Sequence, residues 1–396
     1  MKILIVSFYY PPEIGAAPTR ISNLALGLMA EGNNVDILTS LPNYPKGKIF
    51  DEYKGKIKFK EEVDGINIYR YWIYATVSKS GIKRALGMFS FAFMIWIFAL
   101  KSKLIKKYDR VIVQSPPLPV AVSSLFLFKK IYKKKVIINI SDLWPLSAVE
   151  LGAMKNQGII YKFFLWMEKF VYNNATAIMG QSLEILSHIS TINSNINEFL
   201  YRNLKKIKLE CNIKEKQFNL RIIYAGLLGV AQDILGIIKH INFKSINSEL
   251  HIFGGGNQLE EIKEFIKYNP DRGVIYEGFK SPSELECKYK EFDVALVPLT
   301  VSIKGAVPSK LYDLLPIGIP VLFSGGGEGA EIVSKYNIGM ISDPGDYKAL
   351  ESNIKFFEEM SQDIYSLYSK NCLLSSREDF NFDKQIKALN SFLLNL

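Results

Sequence analysis

Apolar runs that stop at glycine recur through the second half of the chain, with polar, helix-spaced stretches between them. Residues 220–229, 250–256, 274–279 and 292–299 are rich in β-branched and aromatic residues, and the first three contain or end in glycine. Behind the second run, Leu259, Ile262 and Ile266 stand three and four apart, the helix period. Strands alternating with helices predict a parallel sheet covered on both faces. Such sheets bind ligands beyond the carboxyl ends of their strands, where these glycines lie.

The first half has the same alternation. Residues 1–8 read as an opening strand rather than a cleavable signal. The run 136–140 stops at Ser141 and Asp142, and 179–184 reads as the last strand and helix start of a first domain. Residues 193–219, rich in Asn, Lys and Glu, break the pattern, and 382–396 is apolar at helical spacing. At 396 residues, 48% of them hydrophobic, the chain exceeds one core and can fill two. The expected domains are 1–200 and 201–381, with 382–396 returning to the first.

Residues 305–323 carry the clearest chemistry. Lys310 and Asp313 are three apart behind Pro308 and Ser309, so they share one face of a helix that residues 316–320 must end. A cation and a carboxylate at a helix start suit a nucleotide diphosphate, with Lys310 and backbone N–H groups on phosphate and Asp313 on the ribose hydroxyls. A plain capped helix with one surface ion pair has the same pattern. The glycine-ended strands upstream shift the balance toward a ligand site.

Several motifs stand in a recognisable order: Tyr224-Ala-Gly226-x-x-Gly229, Phe253 to Gly256, Tyr276 to Phe279, Asp293 to Leu299 and Pro308 to Asp313. They resemble the donor half of the retaining GT-B glycosyltransferases of family four. Residues 8–20, 41–47 and 141–145 resemble its polysaccharide branch, which includes the WbuB-like L-fucosaminyltransferases of O-antigen and capsule assembly. The resemblance implies an α/β chain of GT-B architecture, two Rossmann-like parallel-sheet domains facing a cleft. It implies transfer of a sugar, an N-acetylated hexosamine such as L-FucNAc or GlcNAc, from a nucleotide-diphosphate donor, expected to be UDP. The acceptor expected is a polyprenyl-diphosphate-linked saccharide.

Carried onto this chain, the resemblance places Gly226, Gly229, Gln232, Gly254, Gly255, Ala306, Val307, Ser309, Lys310, Leu311 and Asp313 at the donor. Glu13, Gly15, Arg20, Asn43 and Tyr44 fall at the acceptor, with Asp142 and Lys310 as catalytic groups. Three departures stand out. Asp313 replaces the usual glutamate and is shorter by roughly 1.5 Å, one C–C bond. Gly305 occupies the position of a first glutamate, and Ser141 that of a histidine. The chain has no Asp-x-Asp pair and no His/Cys cluster, so no metal or other cofactor is expected. Charge building on the departing phosphate then falls to Lys310 and the backbone N–H groups of residues 226–229. His188, His240 and His251 lack partners for catalysis and read as structural.

Charge changes the picture of partners. Residues 1–200 hold 25 Lys and Arg against 14 Asp and Glu, a net of +11, while the remainder sums to −1. No nucleic-acid motif accompanies this excess, so an anionic membrane surface is expected instead. Residues 85–100 are uncharged and aromatic between basic clusters, too short at 16 residues for the roughly 20 of a bilayer span. An interfacial helix is expected, with Phe91, Trp96 and Phe98 in contact with lipid, and a buried core helix is the competing reading. Three scattered cysteines, Cys211, Cys287 and Cys372, give no disulfide framework, which points to the cytoplasmic side of a membrane. Two other functions fit the pattern less fully, a non-hydrolysing nucleotide-sugar epimerase and a silent subunit that recruits a partner enzyme.

Overall fold

A computed structural model describes residues 1–78, 80–101, 103–156, 158–206 and 212–396. Cys211 and Lys79 lie outside them. The chain divides into two compact units, residues 1–203 with 382–396, and residues 204–381.

The first unit is built on an eight-stranded sheet. Its strands are β1 Lys2–Val6, β2 Asn34–Ser40, β3 Lys58–Val63, β4 Ile66–Tyr71, β5 Arg110–Ser115, β6 Lys135–Ile140, β7 Ala177–Gly180 and β8 Asn197–Leu200. Their order is β3-β4-β2-β1-β5-β6-β7-β8, and every pairing is parallel except β3 with β4. Ile3 to Val6, Val111 to Val113 and Val136 to Ile138 are fully buried, as continuous apolar strands in a doubly covered sheet must be. β8 falls inside the stretch read as patternless, so β7 is not the last strand of this unit. Its four residues are half-exposed or exposed, and an edge strand so short leaves little periodicity to read.

The returning helix Phe382–Asn395 docks on the helix Ala16–Ala30. At Gly27 the space a side chain would need is filled by Ile386 and the Phe382 ring. Elsewhere in the unit, three helical pieces pack side by side. Gly81–Lys101 meets Leu118–Ser124, where Trp96 Nε1 donates to Ser123 Oγ at 2.8 Å and Ser123 donates to the Ala92 carbonyl. Leu118–Ser124 continues as a π-helix, Leu125–Ile131, whose Phe126 ring stacks on Phe170 of the helix Ile159–Asn174.

Here the structure corrects the sequence reading. Phe91 and Phe98 are 0% and 2% exposed and belong to the core, and Trp96 is half-buried and hydrogen-bonded, so none of the three forms a lipid-facing surface. The helix also begins four residues before the uncharged run. Its span Gly81–Leu100 is long and apolar enough to cross a membrane, although about a third of it is buried within the protein.

The second unit has a six-stranded, wholly parallel sheet. It comprises β9 Leu220–Leu227, β10 Ser248–Gly255, β11 Val274–Gly278, β12 Val294–Pro298, β13 Val321–Ser324 and β14 Gly339–Ser342. Their order is β11-β10-β9-β12-β13-β14. The order reverses at β9, which puts the crevice of this sheet between β9 and β12 at their carboxyl ends.

Candidate functional site

The carboxyl edge of the second sheet is shaped by close backbone approach. β9 and β10 run in register with Gly226 beside Gly254 and Leu227 beside Gly255. A methyl group on Gly254, whose φ is +134°, would overlap the Gly226 carbonyl, and one on Gly226 would overlap the Lys310 ammonium. Gly256 is crowded in the same way by the Leu228 backbone, whereas Gly255 faces open space. These glycines let two strand ends converge and leave room for a lysine to lie across them.

Lys310 comes from the helix Ser309–Leu314, and its Nζ sits 4.6 Å from the centre of the Tyr224 ring. That ring is fixed in turn, since Tyr224 Oη donates to the Leu227 carbonyl at 2.6 Å. Burial lowers the Lys310 ammonium to about 8, with Asp313 opposing the shift. A partly dehydrated ammonium beside a π face gains when an anion arrives. The helix itself is six residues long, so its aligned peptide dipoles add little, and the expected phosphate attraction at its start rests on Lys310.

The other donor-side candidates divide. Leu311 is fully buried and Val307 is 5% exposed, so their side chains are core and only their backbones face outward chemistry. Ser309 and Ala306 are half-buried, and Ala306 N–H donates to the Ile303 carbonyl. Asp313 Oδ2 is 2.8 Å from Lys205 Nζ, so the carboxylate expected on ribose already holds a cation. Gln232 N–H donates to the Gly229 carbonyl, and its side-chain oxygen is buried without a hydrogen-bond partner among the described residues. Gly305 has φ +83°, a conformation that disfavours glutamate, so this departure from the family pattern is built into the backbone.

In the first unit, Asp142 follows β6 and is held by a relay of buried polar groups. Asn139 Nδ2 donates to Gln114 Oε1 at 2.9 Å, Gln114 Nε2 to Ser141 Oγ at 3.0 Å, and Ser141 Oγ to Asp142 Oδ2 at 3.1 Å. Ser141 thus orients the carboxylate from the position where the family has histidine. Asp142 remains exposed at its surface, yet the protein around it pushes its carboxyl above the ordinary range, against Arg20 and Ser141. Burial lowers Arg20, while Asp142 and Tyr201 restore part of its basicity.

Most expected acceptor contacts prove structural. The Glu13 carboxylate is 3% exposed and accepts from the N–H groups of Tyr10, Asn43 and Tyr44, which ties two loops together and leaves it closed to an acceptor. Burial still pushes it upward despite those bonds. Asn43 is buried and donates to the Leu41 carbonyl. Arg20 is also buried, with Nη1 donating to Gln181 at 2.7 Å, so it acts on Asp142 rather than standing open for a phosphate. Tyr44 remains 45% exposed beside Tyr9, and Gly15 lies against the Tyr44 ring.

Sequence reasoning missed Tyr224, Lys205, Gln114, Asn139, Gln181 and Tyr201. The available signal was a polar residue interrupting an apolar strand near its carboxyl end, as Gln114 does in β5 and Asn139 in β6. The histidines sit apart: His188 bonds the buried Glu168, His240 stacks on Tyr347, and His251 bonds Glu277. Among the described residues, no three His, Cys, Asp or Glu side chains are grouped to hold a metal.

Comparison with known proteins accords with this geometry. Residues 211–371 match the family described as Glycosyl transferases group 1. A glycosyl transferase assigned to colanic acid biosynthesis, WcaI of Escherichia coli K12, is 24% identical over 346 residues, 80% of this chain and 82% of that protein. Among solved structures, sucrose-phosphate synthase from Thermosynechococcus elongatus superposes with a TM-score of 0.74 at 14% identity, covering 100% of this chain and 98% of that one. Anabaena HepE, solved with UDP and glucose, gives 0.67 at 11% identity with full coverage of both chains. At such identities the structural likeness speaks for the fold, which is GT-B.

Proposed function

We propose that this GT-B chain, a glycosyltransferase with a group 1 domain, is a retaining, metal-independent hexosyltransferase of surface polysaccharide assembly. It moves an N-acetylated hexosamine from a UDP-sugar to a polyprenyl-diphosphate-linked saccharide, as a peripheral protein on the cytoplasmic face of a membrane. The polysaccharide role is supported by the likeness to WcaI, and UDP by the likeness to a structure solved with it.

The observation that carries the reading is Lys310, a partly dehydrated cation laid against Gly226 at the end of β9, where β10 also ends in glycine. In the proposed step the bond between the anomeric carbon and the diphosphate oxygen breaks, and that oxygen keeps the electron pair. The acceptor hydroxyl oxygen bonds the same face of the carbon, and its proton passes to the departing phosphate. Charge at the leaving oxygen is largest in the transition state, so a fixed cation there accelerates the reaction more than it tightens binding. Asp142, exposed at the end of β6, orients the reacting groups.

The test is release of UDP from a panel of UDP-sugars with and without a polyprenyl-diphosphate saccharide, in EDTA. Acceptor-dependent release with retention of anomeric configuration supports the proposal. Turnover that vanishes in EDTA and returns with magnesium or manganese contradicts metal independence.

A further inference from the structure

Two helices of the first unit each carry a run of exposed apolar residues at helical spacing. On Gly81–Lys101 they are Ile82 at 72%, Leu86, Phe89 and Phe93, spaced by four, three and four residues along a single stripe, with Leu100 exposed seven residues further on. On Ile159–Asn174 they are Ile159 and its neighbour Ile160, then Phe163 and Trp166, with Ile159, Phe163 and Trp166 spaced by four and three. Between these helices lies the segment 118–131, whose half-open Phe126 stacks on Phe170 and so joins the row Phe163, Trp166, Phe170.

Leu100 apart, both sets lie in the N-terminal two-thirds of their helices. Gly81–Lys101 follows β4 and precedes β5, and Ile159–Asn174 follows β6 and precedes β7, all parallel strands. Each helix therefore starts at the carboxyl edge of the sheet, the edge where β6 delivers Asp142. Lys83 and Arg84 on the first helix and Lys162 and Lys169 on the second are exposed. Gly81–Lys101 has no acidic residue, and the only one on Ile159–Asn174, Glu168, is 1% exposed and turned inward to Tyr172 and His188. The outward face of these two helices is thus apolar and cationic, with no exposed carboxylate of its own.

We infer that these stripes form a single docking face for an anionic lipid bilayer, set beside the edge that carries Asp142. Aromatic and branched side chains enter the interface while the lysines and Arg84 meet lipid phosphates. The placement delivers a lipid-linked saccharide at the depth of the catalytic edge. This inference rests on the proposed lipid-linked acceptor and adds the surface that meets the membrane.

The test is co-sedimentation of the full chain with phosphatidylglycerol/phosphatidylethanolamine vesicles and with phosphatidylcholine vesicles. Binding is expected to the anionic vesicles, and the Ile159→Ser/Phe163→Ser/Trp166→Ser variant should bind them about tenfold or more weakly with an unchanged melt, as should Leu86→Ser/Phe93→Ser. In the wild-type chain, brominated lipid should quench a fluorescence component that Trp166→Phe removes. Unchanged binding of both variants, or quenching unaffected by Trp166→Phe, overturns the inference. So does a wild-type dimer that ignores vesicles and becomes a monomer in both variants, because the occupant is then a second copy. UDP release with a short, water-soluble acceptor, unchanged in both variants, separates this outcome from failure of the transferase reading.

Discussion

The carboxyl edge of the donor-side sheet is shaped by glycines around one lysine, whereas the corresponding edge of the first unit consists of side chains that hold one another. At the donor edge, Gly226 and Gly254 matter for the atoms they lack, and among the described residues no carboxylate is bonded to the Lys310 ammonium, which lies near the Tyr224 ring. In the first unit, Asp142 is reached through Asn139, Gln114 and Ser141, and Arg20 is bound to Gln181. A site made from backbone clearance announces itself as glycines at strand ends. A site made from side-chain networks does not, because the same glutamate or arginine can face a ligand or a loop. The first edge should therefore respond to small additions of volume, and the second to changes of charge.

The largest effect should come from Lys310→Ala, which removes the cation that lies against Gly226. Turnover should fall about 100- to 1000-fold, the loss typical of deleting one group that stabilises transition-state charge, with a smaller change in KM. The same variant should raise the melting midpoint of the free protein by a few degrees, roughly the shift worth 1 kcal/mol in a unit of this size. The sign follows from burial: the folded-state value of about 8 lies below that of an unfolded lysine, so at neutral pH the charged form is the one folding disfavours. That penalty fades as pH rises from about 8 toward the ordinary lysine value.

Next in size is Gly226→Ala, whose added methyl competes with the Lys310 ammonium for one position. Nucleotide affinity should drop about tenfold, the scale of one displaced charged contact, while Gly255→Ala, which meets open space, should bind as before. Equal behaviour of the two variants in a calorimetric UDP titration would remove the clearance argument.

At the other edge, Arg20→Gln should act through Asp142. Arg20 holds that carboxyl down against the effect of burial, so without it the acidic limb of the pH–rate profile should move to higher pH. An unmoved limb would mean that Asp142 does not act as an anion. The smallest effect is expected for Lys205→Ala. Freeing Asp313 from a partly exposed ion pair is worth at most about 1 kcal/mol, so KM for the donor should fall no more than a few-fold if Asp313 holds ribose.

The fold was legible because the inner strands of both sheets are parallel and covered on both faces, so they read as unbroken apolar runs with punctuation at the ends. β8 was not, since four half-exposed residues at a sheet edge carry almost no pattern. On the donor side the spacing singled out Gly226, Gly254 and Lys310, which the fold brings together. Asp313 was read correctly as helix-mate of Lys310, but its pairing with Lys205 depends on a contact across 108 residues. For Glu13 and Asn43 the sequence did not show that their loop is polar for an internal reason, three backbone N–H groups bonded to the Glu13 carboxylate. On Gly81–Lys101 the composition was read but not the rotation: Phe91 and Phe98 turn inward, while Phe89 and Phe93 turn out.

The central claim is that Lys310 is a dehydrated cation awaiting the diphosphate. Its titration can be followed directly by NMR of lysine labelled at the ε-carbon, with Lys310→Met identifying the signal. The account predicts a midpoint of about 8 in the free protein, rising when UDP binds and restores a counter-charge. A Lys310 signal that titrates near the ordinary 10.5 and does not respond to UDP would contradict it.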